Sequence, residues 1–289
     1  MKEQEKKILP SVTVVIPAYN EGKTIALTVS DIRKIYPEYE ILVVDDGSTD
    51  GTADRAEGEG VRVLRNSQNR GYGASLKRGI LKARGVIIVT LDGDGQHDCR
   101  GIARLVEGMA ESDMVVGQRL KEDQVAVRKP GKWLLTAVAQ YLVNQQIPDL
   151  NSGFRAFYRT DAIKYLPLLP NGFSFTTTIT LSMLKDGRDV KYLPIKINRR
   201  EEGSSRVSFF RDGGKTLLLI LRVIMLFNPL RIFVPLSMIL IFLGGIYTLF
   251  MMVVYSNISD TTTLLLLAGI GTLFFGLLAD QISNIRRGG

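Results

Sequence analysis

The chain has 289 residues, 45% apolar and 23% charged, enough to bury one large core or two small ones, which excludes a disordered segment. Its single cysteine, Cys99, excludes a secreted disulfide framework and makes a reducing compartment the simplest home. The net charge of +8 is uneven, with −2 over residues 1–114, +10 over 115–232 and 0 beyond; no RNA-binding signature or zinc-finger spacing accompanies it, so it suits lipid or phosphate anions rather than nucleic acid.

The opening MKEQEKK carries no apolar signal segment, so what precedes the apolar tail is expected to stay in the cytoplasm. Short β-branched runs at 12–16, 40–44, 61–64, 86–91 and 114–117 alternate with helical patterns beginning near Glu21, Thr52, Tyr72 and Arg100. Continuous apolar strands separated by helices predict an α/β fold with a mainly parallel sheet covered on both faces. In such sheets ligands bind beyond the carboxyl ends of the strands. Four polar loops fall there: Pro17-Ala18-Tyr19-Asn20-Glu21, Asp45-Asp46-Gly47-Ser48, Asn69-Arg70-Gly71-Tyr72-Gly73 and Asp92-Gly93-Asp94-Gly95-Gln96. A fold kept only for packing has no need of carboxylate pairs at that edge.

Asp92 and Asp94 follow a buried strand two residues apart, so both carboxylates can face one hard cation, Mg²⁺ or Mn²⁺, with Gln96 or water completing the shell. His97, the only histidine, is a poor partner for such a cation. Residues 46–57, DGSTDGTADRAE, fit a calcium-loop template, but a strand rather than a helix leads into them. Asn69-Arg70-Gly71-Tyr72-Gly73 lacks the third glycine of a dinucleotide loop, with Leu76 in its place, and reads instead as a glycine turn that lets backbone approach a phosphate.

The basic middle offers Arg119, Arg128, Lys129 and Lys132, then Asn151-Ser152-Gly153-Phe154-Arg155, then Arg199, Arg200, Ser204, Ser205 and Arg206. Guanidinium forks match phosphate oxygens in pairs, whereas Lys129 and Lys132 read as solvated surface charge. Trp133–Asn144 reads equally as a core or an interfacial helix. Thr216–Phe227 is too short to span and, flanked by Lys215 and containing Arg222, reads as an interfacial helix, with a core helix the alternative. Two uncharged runs follow, 232–255 and 261–279, about 36 and 28 Å long as helices against a hydrocarbon core of about 30 Å. Cations at Lys215, Arg222, Arg231, Arg286 and Arg287, and none in 256–260, put both ends of this hairpin in the cytoplasm.

VVIPAYNE, VVDDGSTDGT, NRGYGAS, LDGDGQHD, GQR, NSGFRAF and RREEGSSRV, in this order and ahead of a membrane hairpin, resemble glycosyltransferase family 2, specifically the polyprenyl-phosphate glycosyltransferases typified by dolichol-phosphate mannosyltransferase. The resemblance covers about residues 11–210. It implies a Rossmann-like GT-A catalytic domain, placed over 1–210, ahead of the interfacial helix over 211–230 and the transmembrane hairpin over 231–289 that the apolar runs predict. It further implies sugar transfer from a nucleotide donor to a polyprenyl phosphate, with membrane lipids as surroundings and a homo-oligomer left open. On the same resemblance Pro17, Tyr19, Glu21, Asp45 and Asp46 hold base and ribose, joined in the donor site by Asn69 and Gly71. Asp92, Asp94 and Gln96 form the metal and diphosphate site. Arg119, Arg128 and Arg200 clamp the acceptor phosphate, with Ser205-Arg206 where many members have Ser-Lys. Gly93 and Gly95 replace bulkier residues common in that loop, and GQR replaces GSR.

A phosphate monoester, with its second pKa near about 6, is mostly a dianion at neutral pH and already a nucleophile, so no strong general base is required. The remaining tasks are to stabilise a leaving diphosphate and offset repulsion between two anions, which a metal and arginines perform. A processive polysaccharide synthase shares the donor loops but carries a Gln-x-x-Arg-Trp motif and more spans; here the only tryptophan is Trp133. An inert nucleotide-sugar-binding scaffold has no reason to keep Asp92, Asp94 and Arg200 together, and a soluble enzyme with a terminal anchor would ignore lipid acceptors.

Overall fold

A computed structural model describes residues 11–119, 130–172, 174–195, 218, 221–257 and 259–288. In chain order the elements are β1 (Val12–Ala18), α1 (Ile25–Ile35), β2 (Glu40–Asp45), α2 (Thr52–Gly58), β3 (Arg62–Arg65), α3 (Tyr72–Lys82), β4 (Ile87–Thr90), α4 (Gly101–Gly108), β5 (Met114–Arg119) and α5 (Pro130–Val143). They continue with β6 (Arg155–Tyr158), α6 (Arg159–Tyr165), α7 (Phe175–Lys185), β7 (Val190–Ile195), α8 (221–227), α9 (Leu230–Tyr255) and α10 (Asp260–Gly288).

The strands form one sheet in the order β3-β2-β1-β4-β6-β5-β7. All neighbours run parallel except β6, which is antiparallel to both β4 and β5. Every residue of β1 is buried because successive side chains enter opposite cores. Val14 and Ile16 share one core with Ile25, Val29 and Ile32 of α1 and Leu105 of α4, whereas Val15 shares the other with Leu76 and Ile80 of α3 and Phe175 of α7. The five predicted strands are present. Helix α1 starts at Ile25 rather than near Glu21, because residues 22–24 form a turn whose Thr24 and Ile25 N–H groups donate to the Glu21 carbonyl.

The chain divides into two compact units, Met1–Lys129 with Gln146–Val207, and Pro130–Gln145 with Ser208–Gly289. Helix α5 therefore belongs with the C-terminal helices. Within that unit the Arg231 guanidinium lies 4.2 Å from the Tyr141 ring centroid and donates to the Leu142 carbonyl at 3.3 Å. The Ser283 hydroxyl donates to the Leu226 carbonyl and ties α10 to α8. Helices α9 and α10 contain the predicted spans; they are long and apolar enough to cross a membrane, with hydropathies of 2.3 and 2.1 and only 11% and 22% of their most apolar windows covered by protein.

Candidate active site

A cavity of about 610 Å³ opens at the carboxyl ends of β1, β2 and β4. Its walls include Pro17, Tyr19 and Glu21 after β1, Asp46 after β2, Asn69 and Gly71 after β3, and Asp92 and Asp94 after β4. Parallel strands deliver these loops to one edge, which is why residues far apart in the chain converge. Tyr72 and Ser75 of NRGYGAS, Asn151 and Gly153 of NSGFRAF, and Thr176 also line it, five positions to which the sequence assigns no role of their own. Among the predicted site residues Asp45, Gln96 and Arg119 are not part of the lining, and Arg128, Arg200, Ser205 and Arg206 lie outside the described residues.

Asp46 is almost wholly buried and fixed on three sides. Its Oδ1 accepts from the Asn66 amide at 2.7 Å and the Arg70 N–H at 3.0 Å, and its Oδ2 from the Gly71 N–H at 2.8 Å. Burial pushes the pKa of this carboxyl up, but these donors outweigh it and hold the group below the usual carboxylate range. Neighbouring Asp45 is also buried; its Oδ2 accepts the Ser48 N–H at 3.3 Å, while its Oδ1 has no hydrogen-bond partner in the structure.

The loops after β1 and β2 are stapled together. Asn20, in the left-handed region at φ 55°, donates its N–H to the Ser48 hydroxyl at 2.9 Å, and its side-chain oxygen accepts the Thr49 N–H at 3.0 Å. Asp50 accepts the Gly22 N–H at 2.9 Å and the Thr52 N–H at 3.1 Å. The stretch 46–57 thus follows a strand and braces a neighbouring loop, and it is not a helix–loop–helix calcium site. Gly71 has φ +98°, and a Cβ there would stand 2.6 Å from the Asn171 carbonyl oxygen, so the space is taken by the chain's own backbone.

Asp92 side-chain oxygens face three neighbours. The Tyr72 hydroxyl donates to Oδ1 at 3.0 Å, His97 Nε2 lies 3.7 Å from Oδ2, and a Cβ on Gly153 would come within 2.7 Å of Oδ2. Burial raises the Asp92 pKa, but His97, the Tyr72 hydroxyl and the charge of Arg119 together bring it below its ordinary value. Tyr72 is pushed well above its ordinary value by burial and then by the Asp92 charge, so it remains a donor. Asp94 Oδ1 accepts the Gln96 N–H at 3.1 Å. Among the described residues no group of three or more His, Cys, Asp or Glu forms a metal cage. Two hard carboxylates at a cavity wall instead match an ion that takes its other ligands from water and substrate oxygens.

Two arginines are held very differently. Arg119 donates from Nε and Nη2 to the two oxygens of Asp149, at 2.7 and 2.8 Å. The Asp149 bond raises the Arg119 pKa, while Arg119 lowers that of Asp149 against the upward push of burial. Arg155 is 0% exposed and donates to the Ser152 and Thr176 carbonyls and, at 2.9 Å, to the Thr180 hydroxyl. Burial draws its pKa down.

A family model described as glycosyl transferase family 2 matches residues 13–166, and one described as GtrB C-terminal hairpin matches 228–285. The chain is 30% identical over 213 residues to the undecaprenyl-phosphate mannosyltransferase of Micrococcus luteus, covering 68% of this chain and 87% of that one. It is also 28% identical over 291 residues to glycosyltransferase AglJ of Haloferax volcanii, covering 96% and 95%. Polyprenol monophosphomannose synthase of Mycolicibacterium smegmatis is 30% identical over 213 residues, covering 68% and 80%. Among solved structures, glucosyl-3-phosphoglycerate synthase of Mycobacterium tuberculosis, in complex with Mn²⁺, UDP and glucosyl-3-phosphoglycerate, matches with a TM-score of 0.60 at 22% identity over 74% of this chain and 79% of that one, a likeness of GT-A fold.

Proposed function

The chain belongs to glycosyl transferase family 2, and on that premise we propose that it moves a sugar from a UDP- or GDP-sugar to a polyprenyl phosphate, inverting the anomeric carbon. The observation that carries this reading is the convergence of Asp46, Asp92 and Asp94, with Tyr19 and Asn69, on one cavity in a chain that also has an apolar helical hairpin. Relatives named for undecaprenyl-phosphate and polyprenol chemistry support the acceptor class.

Asp46, immobilised by backbone donors, is a rigid acceptor for ribose hydroxyls, with Asp45 buried behind it. Pro17, Tyr19 and Glu21 complete that end of the cavity. Asp92 and Asp94 would hold Mg²⁺ or Mn²⁺, which when bound supplies Lewis acidity to the departing diphosphate. Tyr72 and Gly153 keep the Asp92 carboxylate aimed. The acceptor dianion attacks without a general base, and Arg119, with Arg128 and Arg200 beyond the described residues, offsets its charge. The hairpin spans the membrane with both ends on the cytoplasmic side.

The test incubates membranes containing the protein with radiolabelled UDP- and GDP-sugars and polyprenyl phosphates. Label should enter the organic phase and stop doing so with EDTA. Label confined to water removes the lipid acceptor, EDTA indifference removes the metal, and a product of retained configuration removes direct displacement.

A further inference from the structure

Arg119, the last residue of β5, meets a carboxylate for which the transfer chemistry itself has no use. Asp149 is only 4% exposed, a costly place for a charge unless it is paired. Both its oxygens engage the Arg119 fork, and Oδ2 also accepts the Arg119 backbone N–H at 3.3 Å. A two-pronged pair fixes the distance of a guanidinium and its rotation as well. Asp149 has a second link: its Oδ1 accepts the Asn151 N–H at 3.2 Å. Asn151 lines the donor cavity, and its Oδ1 accepts the Thr177 hydroxyl at 3.2 Å. One buried carboxylate therefore joins the cation at the end of β5 to the donor wall. Arg119 is also close enough to Asp92 for its charge to draw that carboxyl downward.

We propose that Asp149 is a positioning residue for the transfer: it locks the Arg119 guanidinium in register with the donor wall, so that the incoming phosphate meets a fixed cation. The proposal rests on the reading of Arg119 as an acceptor-phosphate ligand. An arginine already ordered before the acceptor arrives has less rotamer freedom to lose on binding it. Asp149 acts through direction, and its charge partly cancels that of Arg119, so removing the carboxylate has two opposed consequences that kinetics can separate.

The experiment uses the full chain in detergent or nanodiscs and compares D149N, R119Q and D149N/R119Q. D149N should lower kcat/KM for polyprenyl phosphate by about 10- to 100-fold, the scale of a misplaced binding group, while UDP or GDP affinity stays within about 2-fold. In the R119Q background D149N should add little, because Asp149 acts through Arg119. If D149N does not fold, D149E, which keeps the charge and shifts the carboxylate, should give an intermediate loss of acceptor use alone. An unchanged or improved kcat/KM for acceptor, an equal loss in both backgrounds, or a parallel loss of nucleotide affinity overturns the proposal. Wild-type protein that binds nucleotide and moves no label to lipid overturns the functional reading and this proposal together; an active wild type with an indifferent D149N overturns the proposal alone.

Discussion

Around the donor cavity and around Arg119, the two halves of the sheet hold their charged groups by different means. Ion pairs of the parallel half, Arg62 with Glu40 and Arg65 with Asp54 and Glu57, lie away from the cavity, whereas the carboxylates around it are satisfied mainly by neutral donors: Asp46 by Asn66, Arg70 and Gly71 amides, Asp50 by the N–H groups of Gly22 and Thr52, and Asp92 by the Tyr72 hydroxyl, with His97 3.7 Å away. Around β5 and β6, cations are satisfied by acceptors, Arg119 by the Asp149 carboxylate and Arg155 by the Ser152 and Thr176 carbonyls and the Thr180 hydroxyl. A group held by neutral partners keeps its full charge for a ligand. A group held by an opposite charge offers direction more than net charge. The donor side is thus a set of intact anions suited to a metal and hydroxyl groups, whereas Arg119 is a guide whose charge is already partly answered. Arg155 stands apart as a buried cation with neutral partners, close enough to Tyr72 to lower its pKa in part.

The largest expected effect breaks the donor side. Asp92→Ala should cost at least about 10²-fold in turnover, the scale seen when one transition-state electrostatic partner is removed. It also removes an acceptor of the part-buried Tyr72 hydroxyl, so a stability loss of about 1 to 3 kcal/mol should accompany it. Activity within about 3-fold of wild type, measured by label transfer, would contradict an intact-anion role for this residue.

Geometry can be separated from charge at Gly153. A Cβ there would lie 2.7 and 2.8 Å from the two Asp92 oxygens and 2.8 Å from the Tyr72 hydroxyl. Gly153→Ala leaves every charge in place and pushes Asp92 aside, with an expected loss of about 10-fold or more in kcat. A variant of normal activity would mean that Asp92 tolerates displacement and that its charge alone matters.

The parallel half is also the half that sequence exposes. Runs such as VTVVI and EILVV are largely β-branched and lead into polar loops at Pro17–Glu21 and Asp45–Ser48, so β1, β2, β4 and their loops follow from local pattern. β6 is four residues long and begins with Arg155, which reads with the other arginines of the basic middle as a phosphate partner until tertiary carbonyls are known to receive it. β7 carries Pro194, which demotes a strand pattern, and it takes an edge of the sheet where a missing N–H costs least. Asn151 and Gly153 sit in a motif visible in the sequence, NSGFRAF, yet their place in the cavity depends on antiparallel β6 beside β4. Thr176 lies in the first turn of α7 within the run Thr176-Thr177-Thr178, a polar signature in a buried helix and a signal open to sequence reading. Asp149 carries no local sign of its partner, thirty residues away in the chain.

The smallest effect sharpens the contrast through pH and salt. Asp46→Asn keeps the shape but puts an amide NH₂ where a donor already points, Asn66 or Gly71, and should cost about 1 to 3 kcal/mol of stability at neutral pH. The folded pKa of Asp46 lies below its ordinary 3.8. Its contribution is therefore complete above that value and lost as pH falls through it toward the folded pKa. The gap in unfolding free energy between wild type and Asp46→Asn should accordingly be constant from about pH 7 to 5 and narrow below about pH 4. Because the partners of Asp46 are neutral dipoles, added salt has no opposite charge to screen there, and the gap at neutral pH should survive it. Denaturant unfolding at paired pH and salt values measures both. A gap that widens in acid, or collapses in salt at pH 7, would show that Asp46 is held by a cation after all and would erase the difference between the two halves of the sheet.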